Sequence, residues 1–245
     1  MRIAIVSDIH ANLPAFDAVV ADWGQIDALW CLGDVVGYGP DPVACVDRLR
    51  DLEAVCIAGN HDWAAIGRLD LAEFSGAAAE AVRWTARQLT PSARAYLEGL
   101  PDRHLEGQFT LAHGSPRAPI WEYVLDRRSA EENFAAFSTA TCFIGHTHRP
   151  IAYAMRSDPA TGRPTVTVEP PVYREVAIDQ GRHLINVGSV GQPRDGDPTA
   201  RYVILDTERQ TYLRRRVVYD ITDTQQRMRQ SGLPDVLQYR LAVGR

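Results

Sequence analysis

The chain has 245 residues, 45% of them hydrophobic and 23% charged, an ordinary globular composition able to bury one sizeable core without staples. All 26 basic residues are arginine, which excludes a Walker-A phosphate loop, a protein-kinase site, a Schiff-base cofactor enzyme and a Ser–Lys hydrolase, since each depends on lysine. The net charge of −5 has the wrong sign for gripping duplex DNA through long-range electrostatics.

The first third predicts alternating strands and helices. Ile3 to Val6 is a short β-branched apolar run, a buried strand. Asn12 offers a cap and Pro14 sits in the first turn of a helix whose apolar positions are Phe16, Val19, Val20 and Trp23. Ala28 to Leu32 predicts a second strand, Gly33 to Pro42 a loop, and Asp41-Pro42 a cap and first helical residue for a helix to about Arg50. Ala54 to Ala58 predicts a third strand. Such alternation implies right-handed βαβ units and a parallel sheet.

Residues 77–99 read as helical, broken near Thr90-Pro91, and Gln108 to Ala112 as a strand. Ser129-Ala-Glu-Glu132 has the form of a capping box for a helix through Phe137, before a strand at Thr141 to Ile144. Six further strands are expected at 151–155, 164–168, 172–178, 183–187, 201–206 and 211–218. The end, from Asp223 to Val243, reads as helical with an interruption at Gly232-Leu-Pro234. The expectation is one α/β domain over residues 1–245, its first half parallel and its second half mainly antiparallel.

Cys31, Cys45, Cys56 and Cys142 form no Cys-x-x-Cys pair and read as reduced core residues. The opening Met-Arg-Ile-Ala-Ile-Val-Ser-Asp is too short in apolar residues for a signal-peptide core, and no stretch approaches a membrane span. A cytoplasmic protein with no membrane partner is expected.

The chemistry sits at the strand ends. The first three strands run into Asp8-Ile-His10, Gly33-Asp34-Val-Val-Gly37 and Gly59-Asn60-His61-Asp62. Asp8, Asp34 and Asn60 are equally spaced, 26 residues apart (34 − 8 and 60 − 34). Equal spacing over successive βα units places the three at the carboxyl ends of parallel strands, where open α/β sheets bind ligands. Two later strands end in His113-Gly114 and Gly145-His146-Thr147-His148. A lone histidine after a strand is usually an ordinary loop residue; the ordered combination is not. Mixed oxygen and nitrogen ligands suit manganese, iron, cobalt, nickel or zinc, with manganese expected. Seven ligands exceed one tetrahedral zinc and fit two ions if one carboxylate bridges, the arrangement that clamps an in-line displacement at phosphorus.

These residues resemble the calcineurin-like metallophosphoesterase superfamily, whose signature is this ordered set of motifs, here from Asp8 to His148. The compact form is similar to the small bacterial and archaeal phosphodiesterases of that superfamily. The stretch from Asn186 to Asp197 resembles a Gly-Ser loop that they carry near the active site. The resemblance implies a four-layer α/β/β/α sandwich. It implies that Asp8, His10 and His148 hold one ion and Asn60, His113 and His146 the other, with Asp34 bridging. It further implies that His61 faces the scissile phosphate and donates a proton to the leaving oxygen or stabilises charge there. Asp62 would orient that imidazole, and a hydroxide between the ions would be the nucleophile.

The expected function is hydrolysis of a small phosphodiester or phosphomonoester, with nucleotides among the candidate substrates. The alternative is a non-catalytic metal-binding scaffold on the same fold, which would be free to lose His61 or a metal histidine. A DNA-processing nuclease would need an added binding region. Arg117 and Arg194 lie in loops where they could contact a substrate phosphate, although a solvated loop arginine is at least as good a reading. Arg149 and Arg214-Arg215-Arg216 read as exposed, and Tyr38, Trp121 and Tyr123 as packing rather than base-stacking residues. His104 and His183 match no motif. An apolar strip on the later strands leaves room for a homodimer.

Overall fold

A computed structural model describes residues 1–178 and 180–245. Two six-stranded sheets organise it. Strands β1 (Arg2–Val6), β2 (Ala28–Cys31) and β3 (Val55–Cys56) form the parallel half of the first sheet. On the other side of β1 that sheet continues antiparallel through β11 (Ala200–Asp206), β12 (Thr211–Val217) and β9 (Val176–Ala177). In the second sheet β5 (Phe109–Ala112), β6 (Thr141–Ile144) and β10 (Arg182–Asn186) run parallel. Strand β4 (Arg103–Glu106) lies antiparallel on one side; β7 (Ile151–Ser157) and β8 (Pro164–Glu169) lie antiparallel on the other.

Strand alternation sorts the apolar residues into layers. Ile3, Ile5 and Trp30 of the first sheet meet Leu111, Phe143 and Ile185 of the second in a core between the sheets. The opposite faces of β1 and β2, through Ala4, Val6 and Leu29, pack on the helices α1 (Leu13–Asp22), α2 (Pro42–Asp51), α4 (Gly76–Gln88) and α5 (Pro91–Glu98). The outer face of the second sheet, through Cys142, Tyr153 and Leu184, packs on α6 (Arg127–Asn133) and the following Phe134. The result is the expected α/β/β/α sandwich. No described helix is long and apolar enough to cross a membrane.

Local chemistry explains where the elements depart from the sequence reading. Asn12 caps α1 as expected, accepting the Ala15 N–H at 3.2 Å. Pro42 does open α2, but the Asp41 side chain makes no capping bond; it pairs with Arg227 at 3.5 Å instead. The capping box of α6 sits three residues earlier than expected: Asp126 is the cap and Ser129 occupies the third helical position. The strand expected over 172–178 shrinks to Val176–Ala177. Strand β4 and the short helix α3 (Asn60–Ala65) were not expected: β4 is exposed on most residues and lacks an apolar pattern, and α3 begins inside a motif. The chain ends in α7 (Ile221–Gln230) and α8 (Asp235–Val243), separated where Gly232-Leu-Pro234 interrupts the helical pattern.

Candidate metal centre

The carboxyl ends of β1, β2, β5 and β6, together with the start of α3, deliver side chains to one edge of the sandwich. Asp8, His10, Asp34, Asn60, His113, His146 and His148 are all buried there. The backbone turns sharply to achieve this: Asp8, His10, Asp34, His146 and His148 all have φ between 50° and 63°, in the left-handed region. Such conformations cost of order 1 kcal/mol or more each for residues with a Cβ and persist where surrounding structure holds them. Backbone bonds between the loops do so, with Asp8 N–H donating to Gly33 O at 3.0 Å and His10 N–H to Asp34 O at 2.9 Å. Gly59 allows the third loop to close: a Cβ there would meet Asp34 Oδ1 at 2.1 Å.

The ligand atoms form two groups that share Asp34. Asp8, His10, Asp34 and His148 make one, and Asp34, His113 and His146 the other, with the atoms of each group within 4.8 Å of one another. Asp34 Oδ2 lies 3.5 Å from His10 Nε2 and 3.4 Å from His113 Nε2, between the two groups. Asn60 Oδ1 joins the second group, 3.2 Å from His113 Nε2. His148 Nε2 is 3.2 Å from Asp8 Oδ1.

The hydrogen bonds fit this cluster to cations. Each imidazole turns one nitrogen outward to a backbone carbonyl: His10 Nδ1 to Val36, His113 Nδ1 to Leu32, His148 Nδ1 to Gln192 and His146 Nε2 to Trp121. A carbonyl only accepts, so each outward nitrogen carries a proton, and in the neutral ring the inward one keeps a lone pair. The inward nitrogens then face one another, His10 Nε2 to His148 Nε2 at 3.2 Å and His113 Nε2 to His146 Nδ1 at 3.1 Å. Asp8 Oδ1 is buried with no hydrogen-bond partner. Buried lone pairs converging on shared points are what divalent ions satisfy.

Electrostatics agree. Burial works against the Asp8 and Asp34 carboxylates, but nearby imidazoles, His148 for Asp8 and His113 for Asp34, outweigh it and hold both below the usual carboxylate range. Burial also lowers His113, yet Asp34 dominates and pushes it up to about 9. Burial keeps His10 well below its ordinary value and drives His146 down to about 3. Two carboxylates therefore face one charged and several neutral imidazoles, a net negative cluster.

His61 projects beside the cluster, where a cleft of about 230 Å³ opens. Its ring is held by other rings, with centroids 4.3 Å from Tyr38, 4.8 Å from His10 and 5.1 Å from Phe74. The expected orientation of His61 by Asp62 is not found. Asp62 Oδ1 accepts the Val36 N–H at 3.0 Å and Oδ2 the Gly59 N–H at 2.9 Å. His61 Nδ1 has no hydrogen-bond partner among the described residues. Asp62 instead ties the Asp34 loop to the Asn60 turn, and ring packing sets the imidazole. Burial lowers His61 to about 4, while burial and the Asp34 charge raise Asp62 to about 7.

The secondary candidates divide. Arg194 lines the cleft, whereas Arg117 is engaged by Glu122 and by Glu132. Arg149 is exposed as expected; Arg214 is not, lying 2% exposed with its guanidinium over the Tyr212 ring. Tyr38, Trp121 and Tyr123, read from sequence as packing residues, all line the cleft. His104 lies on β4 beside Glu106, and His183 on β10 is buried. Phe74 and Arg240 also line the cleft and were not singled out in the sequence. They follow no motif, and only tertiary packing brings them to the ligand residues.

Comparison with known proteins agrees with this geometry. The chain matches the calcineurin-like phosphoesterase superfamily domain over residues 1–210. It is similar to the uncharacterized protein MJ0912 of Methanocaldococcus jannaschii, 34% identical over 251 aligned positions that cover 99% of this chain and 98% of that protein. It is 30% identical over 158 positions to a symmetrical bis(5′-nucleosyl)-tetraphosphatase of Aromatoleum aromaticum, covering 60% of this chain and 56% of that one. The crystal structure of a metallophosphoesterase from Sphaerobacter thermophilus shares the whole fold, with TM-score 0.88, 47% identity and full coverage of both chains. A domain match across most of the chain and a structural match across all of it lead to one assignment: the chain belongs to the calcineurin-like phosphoesterase superfamily.

Proposed function

We propose that the protein hydrolyses a phosphodiester or phosphomonoester of nucleotide type with two divalent ions, manganese being the first choice. Asp8, His10 and His148 would hold one ion, Asn60, His113 and His146 the other, and Asp34 both. When bound, such a pair stabilises charge on the phosphoryl oxygens and supplies a nucleophile at neutral pH. The observation that carries the reading is the orientation of the four imidazoles, each with one ring nitrogen engaged by a backbone carbonyl and the other turned into the cluster that Asp8 and Asp34 occupy.

The chain's own residues supply the rest. His61 Nδ1 is buried, which leaves Nε2 to face the cleft. A ring this far below its ordinary pKa is neutral at pH 7, and its Nε2–H donates a hydrogen bond to the leaving oxygen as negative charge develops there. The aromatic side chains of Phe74, Trp121 and Tyr123 restrict water and offer faces to an aromatic leaving group or base. Likeness to the Aromatoleum tetraphosphatase supports a nucleotide-type substrate. The four free, buried cysteines accord with a cytoplasmic setting.

The test is hydrolysis of p-nitrophenyl phosphate and bis-p-nitrophenyl phosphate by metal-stripped protein with divalent ions added back. Metal-dependent turnover that collapses in Asp34→Ala and His61→Ala supports the assignment. Protein that binds no metal refutes it.

A further inference from the structure

Two arginines reach the cleft from outside the strand-end motifs. Arg194 lies in the loop after β10, and Arg240 on α8, beyond the residues matched by the superfamily domain. Arginines near them are neutralised within the protein: Arg201 by Asp195 and Asp197, Arg216 by Asp197, Arg227 by Asp41 and Asp223. Arg194 and Arg240 form no ion pair with any described carboxylate, Glu73 on the same lining included. Arg194 Nη2 donates to the Tyr38 hydroxyl at 3.2 Å and to Gln192 Oε1 at 3.0 Å, both neutral groups, so no carboxylate occupies its guanidinium.

The supports of these two side chains are joined. Helix α8 buries Leu237 and Leu241 against Tyr38 and Ala78. It ends at Gly244, φ +62°, whose N–H returns to the Arg240 carbonyl. The Gly244 carbonyl accepts the N–H of Gly196, two residues past Arg194, at 3.0 Å. A Cβ on Gly244 would meet the Asp197 backbone at 2.6 Å, so the loop and the helix end close directly on each other. Arg240 belongs to an element that contributes nothing to the ligand cluster, so it enters the shared cleft from a segment separate from the strand ends that carry the ligands.

We propose that Arg194 and Arg240 form a second anion-binding position in the cleft, and that the substrate carries a second phosphate besides the one that reacts. This rests on the phosphoesterase reading above and narrows its substrate class to compounds with two phosphates close together. Guanidinium groups bind phosphate through paired, charge-assisted hydrogen bonds, and both side chains line the cleft that the ligand cluster also lines, so the two phosphates would lie close together.

The probes are thymidine 5′-(p-nitrophenyl phosphate) and the same ester carrying a 3′-phosphate, assayed on metal-loaded protein. The wild type should favour the doubly phosphorylated probe by about tenfold in kcat/KM, the size expected of a charge-assisted contact. Arg240→Gln, which keeps the packing stem and removes the charge, should raise KM for that probe by about tenfold. The rise for the singly phosphorylated probe should be several-fold smaller, and the exposed control Arg87→Ala should leave both probes within about twofold. No preference in the wild type, or an equal effect of Arg240→Gln on both probes, overturns the proposal. If the wild type turns over neither probe, the phosphoesterase reading fails separately. Calorimetric binding of the two compounds then still decides the arginines, with equal affinities counting against them.

Discussion

Replacing Asp62 by Asn separates two roles for this carboxylate. The structure gives it two backbone bonds, to Val36 N–H at 3.0 Å and Gly59 N–H at 2.9 Å, and none to His61. Asparagine offers one acceptor oxygen, so one buried N–H loses its partner and faces an amide that can only donate. An unsatisfied buried donor costs about 1–3 kcal/mol, and with both bonds fully buried the expected destabilisation is about 3 kcal/mol. With a urea slope of roughly 3 kcal/mol/M for a chain of this size, the midpoint should fall by about 1 M. The measurement is paired at pH 6 and pH 8. Burial and the Asp34 charge raise the Asp62 carboxyl to about 7, so its ionised form carries a penalty that asparagine relieves, and the loss should be smaller at pH 8. A midpoint unchanged within error, with turnover reduced as far as in His61→Ala, would refute this account and restore an orienting role toward the imidazole.

The other predictions concern ions, protons and a distant anchor. Metal uptake by stripped protein should release protons at pH 7–8, because His113 is raised to about 9 and must lose its proton to bind through Nε2. Apparent affinity should therefore climb with pH toward 9; calorimetric heats independent of buffer ionisation enthalpy would contradict this. His61→Ala should lower turnover by about 10²–10⁴-fold while atomic absorption still finds the wild-type metal content. Asp22 accepts from Arg215 at 2.8 Å and from the Tyr202 hydroxyl at 2.6 Å, joining the end of α1 to β11 and β12. The Arg215 bond, aided by Tyr202 against burial, lowers its pKa. Its contribution is then present above the unfolded carboxylate value near 4 and is lost as pH falls through the folded one. Asp22→Asn should cost about 1–2 kcal/mol at pH 7, less at pH 3, and leave metal content unchanged; an equal cost at both pH values would argue for a purely steric effect.

The cluster also indicates how the fold sustains a costly site. Left-handed backbone at Asp8, Asp34 and His146 carries strain that the tolerance of Asp and His for this region offsets only in part. The compensation comes from bonds between loops: His61 N–H to Asp34 Oδ1 at 2.8 Å, His146 N–H to Asp8 Oδ2 at 3.1 Å, and the Asp62 bridge. The proposed ligands thus double as structural ties, so substitutions at Asp8 or Asp34 should disturb the loops as well as the charge.

Local patterns in the sequence set the alternation of strands and helices and put the polar residues at strand ends, whereas the four-layer sandwich and the division of ligands between two ions were implied by the family resemblance. Short apolar runs specify buried strands, and polar residues directly after them can only emerge at the strand ends, so the 26-residue spacing brings Asp8, Asp34 and Asn60 to one edge. Tertiary structure alone decided what surrounds that cluster. Asp62 follows His61 in the chain, yet the start of α3 turns its carboxylate toward the backbone of Val36 and Gly59, and adjacency reveals nothing of that. Tyr38, Trp121 and Tyr123 are amphipathic rings whose composition fits a core or a cleft equally well; only the closing of the loops puts them on the cleft. Arg240 stands among residues of no distinctive pattern, and it reaches the site because α8 packs on Tyr38 and clips to the Arg194 loop through Gly244. Contacts between segments distant in the chain depend on how finished elements dock, and no local periodicity encodes that docking.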